Sequence, residues 1–427
     1  MPTFFMKNIL SSLVYLLFLF PIFIHSIELK IASYNVENLF DMHHDKTEYL
    51  EYVPNRHNWT GKILEKKLKN ISEVICELNS DIIGLQEIEN QNSLRLLQQS
   101  LKKYGCYDYR YSAITTKKNI AINVALLSKI PIKSYRDIVV KRAGGMRNIL
   151  EVKFIIEGKP LYIFVNHWNS KRSPESKRII SALVLKKRLM ELKKESEYLL
   201  IGDFNSNYNE HKRNEHKRVG KTGINHVLNS MLFREESMQK KIDFKHYNLW
   251  LELLPYQRWS HNFYGDKQGL DAILLPPTLF DGKGFDYLDN SFGVFKRNYL
   301  FTKKGYVNRW LYKKKRHIGK GYSDHFPVFA TFSTTPYKFK QKKTMLNCSI
   351  ADILNQKVSL PCHLKRVRII NTQKRAVTVT DKSSKVIIYG VDKSIKENHF
   401  YEVDVYQTKI YKGRFEIIDF TMNSLDN

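Results

Sequence analysis

"YLLIGDFNSN" (Tyr198–Asn207) is the stretch on which the fold turns. An apolar run reaches Gly202 and then meets an aspartate, a phenylalanine and an asparagine. Side chains alternate faces along an extended segment, so Asp203 and Asn205 project together while Phe204 points away. A run apolar on successive residues is a strand covered on both faces. Similar runs recur in "IELKIASYNV", "DIIGLQEI", "AINVALL", "ILEVKFII", "LYIFVNHW", "DAILL" and "HFPVFATF". Two stacked sheets with helices outside satisfy strands of this kind. Between them, "GKILEKKLKNISEVICELNS" repeats Ile63, Leu64, Leu68, Ile71, Val74, Ile75 and Leu78 at helical spacing. "SPESKRIISALVLKKRLMELKKES" predicts a second helix, with Ser173 as N-cap and Pro174 at its first position. The class is α/β.

The 427-residue chain has room for a large core and more than one domain. Residues 1–26 have the form of a signal peptide: Lys7, an uncharged stretch from Ile9 to Ile24, and a small residue at Ser26. An uncleaved anchor is the competing reading; once the signal is cleaved, no membrane span is expected, and either form places the rest outside the cytoplasm. Residues 27–333 form the main domain. "STTPYKFKQKKTM" then breaks the pattern, and 334–345 reads as a basic linker. Residues 346–427 carry short strands and little helical pattern, a compact all-β module of small-barrel size.

Seventy Lys+Arg against 42 Asp+Glu leave a formal charge of +28, which favours polyanionic partners. From Leu346 onward there are 13 Lys+Arg and 9 Asp+Glu, only +4, so the excess lies in the larger part. Of four cysteines none has CxxC spacing, which argues against structural zinc. Cys348 and Cys362 are placed to close a small loop, and Cys76 reads as packing on an apolar helix face.

Five strand tips carry unusual polar groups. "SYNVENLF" offers Asn35, "GLQEIEN" offers Glu87, and "VNHWNSKR" offers His167, Asn169 and Lys171. "IGDFNSN" adds Asp203 and Asn205, and "GYSDHFPVF" adds Asp324 and His325. Singly, each is more often a turn former or a surface residue. Together they are an inventory for hydrolysing a phosphate ester. Asn35 and Glu87 supply oxygens to a hard divalent ion, and a histidine held by a carboxylate takes a proton from water. An amide such as Asn205 fixes water or a phosphoryl oxygen.

In this order and spacing, "SYNVENLF", "IIGLQEIEN", "NHW", "IGDFNS", "LDAILL" and "YSDHFPV" resemble the endonuclease/exonuclease/phosphatase superfamily, over roughly Leu29–Phe332. The nearest likeness is to its bacterial extracellular nucleases, relatives of pancreatic-type deoxyribonuclease. The resemblance implies two stacked mixed β-sheets flanked by helices, a four-layer sandwich with its site at one edge. It implies metal binding by Asn35, Glu87 and Asp324, with Mg2+ the usual ion and Mn2+ or Ca2+ as alternatives. His167 would contact the scissile phosphate or the leaving group. Asp203 would orient or activate water, Asn205 would hold it, and Asp271 would orient His325, the preferred base. The deoxyribonuclease branch supports its first histidine with a glutamate from an earlier loop, and "RYSAITTKKNIAINVALL" offers none.

For substrate, "HKRNEHKRVGK" (His211–Lys221) and "KKGYVNRWLYKKKRHIGKGY" (Lys303–Tyr322) lie close to catalytic motifs. Lys313, Lys314, Lys315 and Arg316 would grip phosphates, and Tyr306, Trp310 and Tyr312 would stack on bases. The C-terminal module resembles bacterial OB-fold nucleic-acid-binding domains, with Tyr389, Phe400, Tyr406 and Tyr411 as candidate stacking groups. The expectation is an exported, monomeric, metal-dependent nuclease acting on DNA, with RNA as a further substrate, in the periplasm, the cell envelope or the medium. A sphingomyelinase-like phospholipid phosphodiesterase is the first alternative, which would want a membrane hairpin; "FDYLDNSFGVF" (Phe285–Phe295) is a candidate for it, but its apolar alternation reads more simply as a core strand. A non-catalytic nucleic-acid-binding surface protein is the second.

Overall fold

The computed structural model describes residues 27–425 apart from 142–143, 216–219, 231–243, 264, 335–344, 359, 374–375, 392–394 and 412. The expected signal peptide and nearly all of the expected linker therefore lie outside the described residues.

The strands of the larger unit begin with β1 (Glu28–Leu39), β2 (Ile82–Ile88), β3 (Tyr111–Ile114), β4 (Asn123–Ser128), β5 (Ser134–Ile138), β6 (Ile149–Ile156), β7 (Lys159–His167) and β8 (Glu197–Asp203). Further strands follow: β9 (Tyr247–Asn248), β10 (His261–Phe263), β11 (Asp266–Gln268), β12 (Asp271–Leu275), β13 (Asp286–Tyr287), β14 (Gly293–Val294), β15 (Tyr312–Lys313), β16 (Arg316–His317) and β17 (Val328–Ser333). Three long helices, α1 (Gly61–Leu78), α2 (Gln91–Lys103) and α3 (Glu175–Met190), run between them.

One sheet has the order β13-β17-β1-β2-β4-β3, with β14 also on β17, and the other β5-β6-β7-β8-β12-β9. Both are mixed, since β1–β2 and β7–β8 are parallel and their neighbours antiparallel. Alternation along the apolar strands divides the core. Ile31 and Ile82 join the layer that also holds Val165 and Ile201, while Ala32 and Ile83 pack outward with Ile71 and Val74 of α1 and Leu94 and Leu97 of α2. This is why the strands read as continuous apolar runs. The sheets approach so closely at Gly84 that a Cβ there would sit 2.8 Å from Ile201 Cδ1.

Phe285, Tyr287, Phe292 and Phe295 are all buried, and β13 and β14 pair with β17. The stretch that a lipid phosphodiesterase would use as a membrane hairpin is therefore core, as its apolar alternation suggests. Cys76 is bonded to Cys106, which corrects the reading of Cys76 as mere packing, and Cys348 is bonded to Cys362. Among the described residues no helix is long and apolar enough to cross a membrane.

The C-terminal strands are β18 (Leu346–Asn347), β19 (Cys362–Gln373), β20 (Ala376–Thr380), β21 (Lys385–Tyr389), β22 (Phe400–Tyr411) and β23 (Arg414–Ser424). Their order is β18-β19-β20-β21-β23-β22, and β22 pairs back onto β19, closing the sheet around Leu364, Val367, Val379, Ile388 and Val403. Tyr406 is buried and faces Tyr256 of the larger unit, ring centroids 6.5 Å apart. The side chain of Tyr411 lies outside the described residues.

Candidate active site

Strand register assembles the site. His167 at the end of β7 stands opposite Asp203 on β8, and Asp203 stands opposite Asp271 on β12. Directly paired residues share a face, so three polar groups line one rim of the second sheet.

The first sheet reaches the same rim through a pair of bulges. The β1–β2 register slips between Asn35 and Leu39, and the β2–β4 register slips between Gln86 and Ile88. Glu37, Asn38 and Glu87 sit there at φ of 53°, 64° and 67°. Left-handed backbone costs a non-glycine residue about 1 kcal/mol or more, and bulges re-aim side chains, here Glu87. The slip takes the carbonyls of Val36 and Glu37 out of the ladder, and the buried ammonium of Lys67 on α1 donates to both, at 3.0 and 2.6 Å. Burial lowers the Lys67 pKa to about 8. The Ser323 hydroxyl donates to the Asn35 carbonyl at 2.7 Å and accepts from His325 N–H, docking the last motif on the tip of β1.

Asp203 is the hub. Its Oδ1 accepts from Asn205 N–H at 2.8 Å, and its Oδ2 from Asn35 Nδ2 at 3.1 Å. Oδ2 also faces His167 Nε2 at 3.7 Å and His325 Nε2 at 3.9 Å. Glu87 Oε1 accepts from the same Asn35 amide at 3.1 Å and lies 3.8 Å from His167 Nε2. His325 Nδ1 is fixed at 2.7 Å by Asp271 Oδ2, which also accepts from Ser260 Oγ at 2.5 Å. Asp324 Oδ2 lies 3.3 Å from Arg309, whose guanidinium also holds Glu37.

Burial works against a charged His325, but the carboxylates of Asp271, Asp203 and Asp324 outweigh it, so its pKa stands well above the imidazole range. His167 goes the other way: burial, then Arg147 and His325, hold it well below that range. Burial pushes Asp203 up to about 7 against the pull of His325. Glu37 rises to about 7 through burial and Asp324, with Arg309 and Lys67 opposing. Glu87 is raised by burial and then by Asp324. Burial would raise Asp324 too, but His325, Arg309 and His261 lower it.

Every expected catalytic residue, His167, Asp203, Asn205, Asp271 and His325, lies at this rim together with Asn35, Glu87 and Asp324. Two expectations gain detail and one changes. Asn35 turns its amide nitrogen to the two carboxylates, while its oxygen accepts from Glu37 N–H at 3.0 Å and keeps a second lone pair. The Asn205 amide nitrogen donates to the Trp168 carbonyl at 3.0 Å and keeps its second N–H for water or a phosphoryl oxygen. Trp310 cannot stack on a base: it is buried, its indole N–H donates to His317 Nδ1 at 3.0 Å, and Lys67 covers its ring.

Among the outer residues, Lys171 is paired with Glu210 at 2.8 Å, and Asn169 is half-buried with its carbonyl on Arg178. Lys313, Lys314, Lys315 and Arg316 form an exposed two-stranded ribbon with its turn at Lys314 and Lys315, both at positive φ. His57 anchors it through the Lys315 carbonyl at 2.8 Å. Most side chains of the other basic stretch, His211–Lys221, lie outside the described residues.

Sequence reasoning missed Glu37, Arg147, Ser260, His261 and Arg309. Glu37 stands two residues from Asn35, within reach of the strand-tip criterion, whereas Ser260 and His261, at the start of the β10–β11 ribbon, are separated by it from the "LDAILL" strand. The arginines enter from loops with no local signal.

The donor set fits a hard divalent cation. Glu87 and Asp203 share one asparagine amide, and both are raised by burial and like charge, a crowding that a cation relieves. Glu87, with Asp324 as electrostatic neighbour, would hold it.

A model of the Endonuclease/Exonuclease/phosphatase family matches residues 30–334. No curated protein matches the sequence. Among solved structures, humanized D. rerio TDP2 is 16% identical, covering 71% of this chain and 98% of its own at a TM-score of 0.46. An endonuclease/exonuclease/phosphatase family protein from Bacteroides thetaiotaomicron is 14% identical, with coverages of 74% and 100% and a TM-score of 0.47. One from Leptotrichia buccalis is 18% identical, with coverages of 71% and 98% and a TM-score of 0.43.

Proposed function

The chain belongs to the endonuclease/exonuclease/phosphatase family, whose members are generally metal-dependent hydrolases, and on that premise we propose that it is an exported nuclease cleaving phosphodiester bonds in DNA, and in RNA as a second substrate. One observation carries the reading. The Asp203 carboxylate lies between two imidazoles, 3.7 Å from His167 and 3.9 Å from His325, and Asp271 holds the second in place.

In this mechanism a bound divalent ion neutralises phosphate charge. Water attacks phosphorus as the ester P–O bond breaks. Asp203, raised to about 7 by burial, takes the proton of the water, and His325, charged through Asp271 and so a donor and not the expected base, gives a proton to the departing oxygen. Asp271 and Ser260 keep the His325 ring turned toward Asp203. His167, neutral and without a carboxylate on Nδ1, serves as a hydrogen-bonding group toward a phosphoryl oxygen and not as a charged acid. Arg147 adds positive charge beside Glu87 and His167.

The substrate class rests on surface charge. The Lys313–Arg316 ribbon is separated from Glu37 by a cleft of about 350 Å³ lined by Glu51, Tyr52, Arg309, Tyr312 and His317. Cations beside a cleft that shares Arg309 with Asp324 of the rim suit a sugar–phosphate backbone. The C-terminal barrel carries a second basic cleft of about 800 Å³ with Arg366, Arg368 and Lys382, in which the Arg366 guanidinium covers the Phe400 ring at 4.0 Å. A guanidinium over an aromatic ring beside further cations suits a single strand. With Phe285, Tyr287, Phe292 and Phe295 buried, that stretch offers a lipid phosphodiesterase no membrane hairpin. The two cysteine pairs fit the oxidising surroundings that export implies.

The test is to incubate the purified chain with plasmid, single-stranded DNA, RNA and sphingomyelin, with Mg2+ or with chelator. Plasmid cleavage that requires Mg2+, with intact sphingomyelin, is expected. Lipid cleavage without nucleic-acid cleavage overturns the substrate, and binding of DNA without cleavage of any substrate overturns the enzyme.

A further inference from the structure

His261 has no part in the chemistry above, yet it sits beside it. It opens the β10–β11 ribbon, makes a single antiparallel bridge to His325, and its ring centroid lies 4.7 Å from that of His325. Its side chain is only 13% exposed. Among the described residues neither ring nitrogen is hydrogen-bonded: Nδ1 is buried without a partner, and Nε2 faces Asp324 Oδ2 at 3.8 Å, beyond hydrogen-bonding range. Buried imidazoles are ordinarily satisfied, and here Nε2 keeps its binding capacity on the side of Asp324.

Its neighbours identify what it would bind. His261, Asp324 and His325 each offer one ligand atom, and the three atoms lie within 4.8 Å of one another. Two imidazoles and a carboxylate are the donor set of a borderline cation with an open fourth position, unlike the oxygen-rich Glu87 edge that suits a hard one. A second trio, Asp203, Asp271 and His325, has comparable spacing, but Asp271 is already engaged by His325 Nδ1 and Ser260. Arg309 competes for Asp324 but has a second anchor in Glu37 and stays held when Asp324 turns to a metal.

We infer that His261, Asp324 and His325 form a Zn2+ site distinct from the catalytic ion's, and that zinc in it switches the enzyme off. Inhibition follows from geometry and rests on the function proposed above: with Nδ1 fixed by Asp271, the nitrogen that His325 gives to zinc is the Nε2 that faces Asp203. His261 itself acts only in holding zinc.

Cobalt(II) reports the site without any assay of activity. With Mg2+ present, one equivalent of Co2+ should give the visible absorption of a four-coordinate ion, and one equivalent of Zn2+ should bleach it. His261→Asn should lose those bands and bind Zn2+ at least about 10-fold more weakly. In the plasmid assay, micromolar Zn2+ should inhibit the wild type while His261→Asn keeps its Mg2+-dependent cleavage and loses the inhibition. A wild type without cobalt bands, or a His261→Asn variant whose bands and zinc affinity are unchanged, overturns the site. Bands that appear as expected in a chain that cleaves no nucleic acid uphold the site and overturn the nuclease reading instead.

Discussion

The His167 and His325 sides of the site hold the same residue type at nearly the same distance from the same carboxylate, and they hold it in opposite states. His325 lies 3.9 Å from Asp203 and His167 3.7 Å, and both are almost wholly buried. Burial alone would keep both rings neutral. His325 differs because Asp271 sits 2.7 Å behind it, while the Nδ1 of His167 is buried with no partner and Arg147 adds positive charge nearby. One carboxylate behind the ring, not the carboxylate in front, therefore decides which histidine handles a proton.

That comparison breaks most directly in activity. His325→Ala should lower kcat/KM on plasmid or oligonucleotide by about 10³–10⁴-fold, the upper range for general acid–base groups. Asp271→Asn keeps the ring but makes its surroundings resemble those of His167, and a loss of about 10²–10³-fold is expected. Ring 15N shifts should show His325 charged at neutral pH in the wild type and less so in Asp271→Asn. His167→Ala removes a neutral hydrogen-bonding group and should cost about 10²-fold. A His167 variant as damaged as the His325 variant would show that the two sides do equivalent work.

How far this asymmetry could be read from sequence depends on whether its cause is local. Asp203, Asp271 and His325 announce themselves because each polar residue interrupts or borders a buried run, and the alternation of a strand is a local rule. The stacked sheets were legible for the same reason, since strands apolar on both faces need two coverings. The bulges were not: "SYNVENLF" does not reveal that the ladder slips past Asn35, and only the Lys67 ammonium arriving from α1 makes the slip tolerable. Trp310 reads as a stacking aromatic among lysines until the chain folds it under Lys67. Cys76 lies on an apolar helix face, as packing would require, and its bond to Cys106 depends on how the chain returns after α2. "RYSAITTKKNIAINVALL" holds no carboxylate to place behind His167, and among the described residues its Nδ1 has no hydrogen-bond partner.

A smaller effect separates grip from chemistry. Neutralising Lys313, Lys314, Lys315 and Arg316 together should weaken DNA binding about 10-fold at moderate salt and flatten the dependence of log K on log salt. KM should rise while kcat and the ranking of the histidine variants hold. Unchanged salt dependence would remove the ribbon from the substrate path. Lys314 and Lys315 occupy left-handed turn positions that favour Asn-Gly, so glycine replacements there relieve backbone strain, and a stability gain need not accompany a loss of binding.

The smallest effect uses a third histidine as a control for the neutral side of the comparison. His246 is fully buried like His167 and has no carboxylate behind it, but both its nitrogens are satisfied, Nδ1 by the Leu228 carbonyl at 2.6 Å and Nε2 by the Tyr198 hydroxyl at 2.9 Å. Burial lowers its pKa to about 4. Between about 6.5 and 4 the unfolded chain binds this proton and the folded chain does not, so the contribution to stability is complete above pH 6.5 and is lost as pH falls toward 4. At pH 5 the loss from this one group is roughly 2 kcal/mol. Urea unfolding at pH 7 and pH 5 should show it, and His246→Gln, which can keep both hydrogen bonds without titrating, should flatten the acid limb by about that amount while leaving nuclease activity intact. If His246→Gln leaves the acid limb as steep as before, burial without a carboxylate does not suffice to hold an imidazole neutral in this fold, and the neutrality assigned to His167 would have to come from the charge on Arg147 instead.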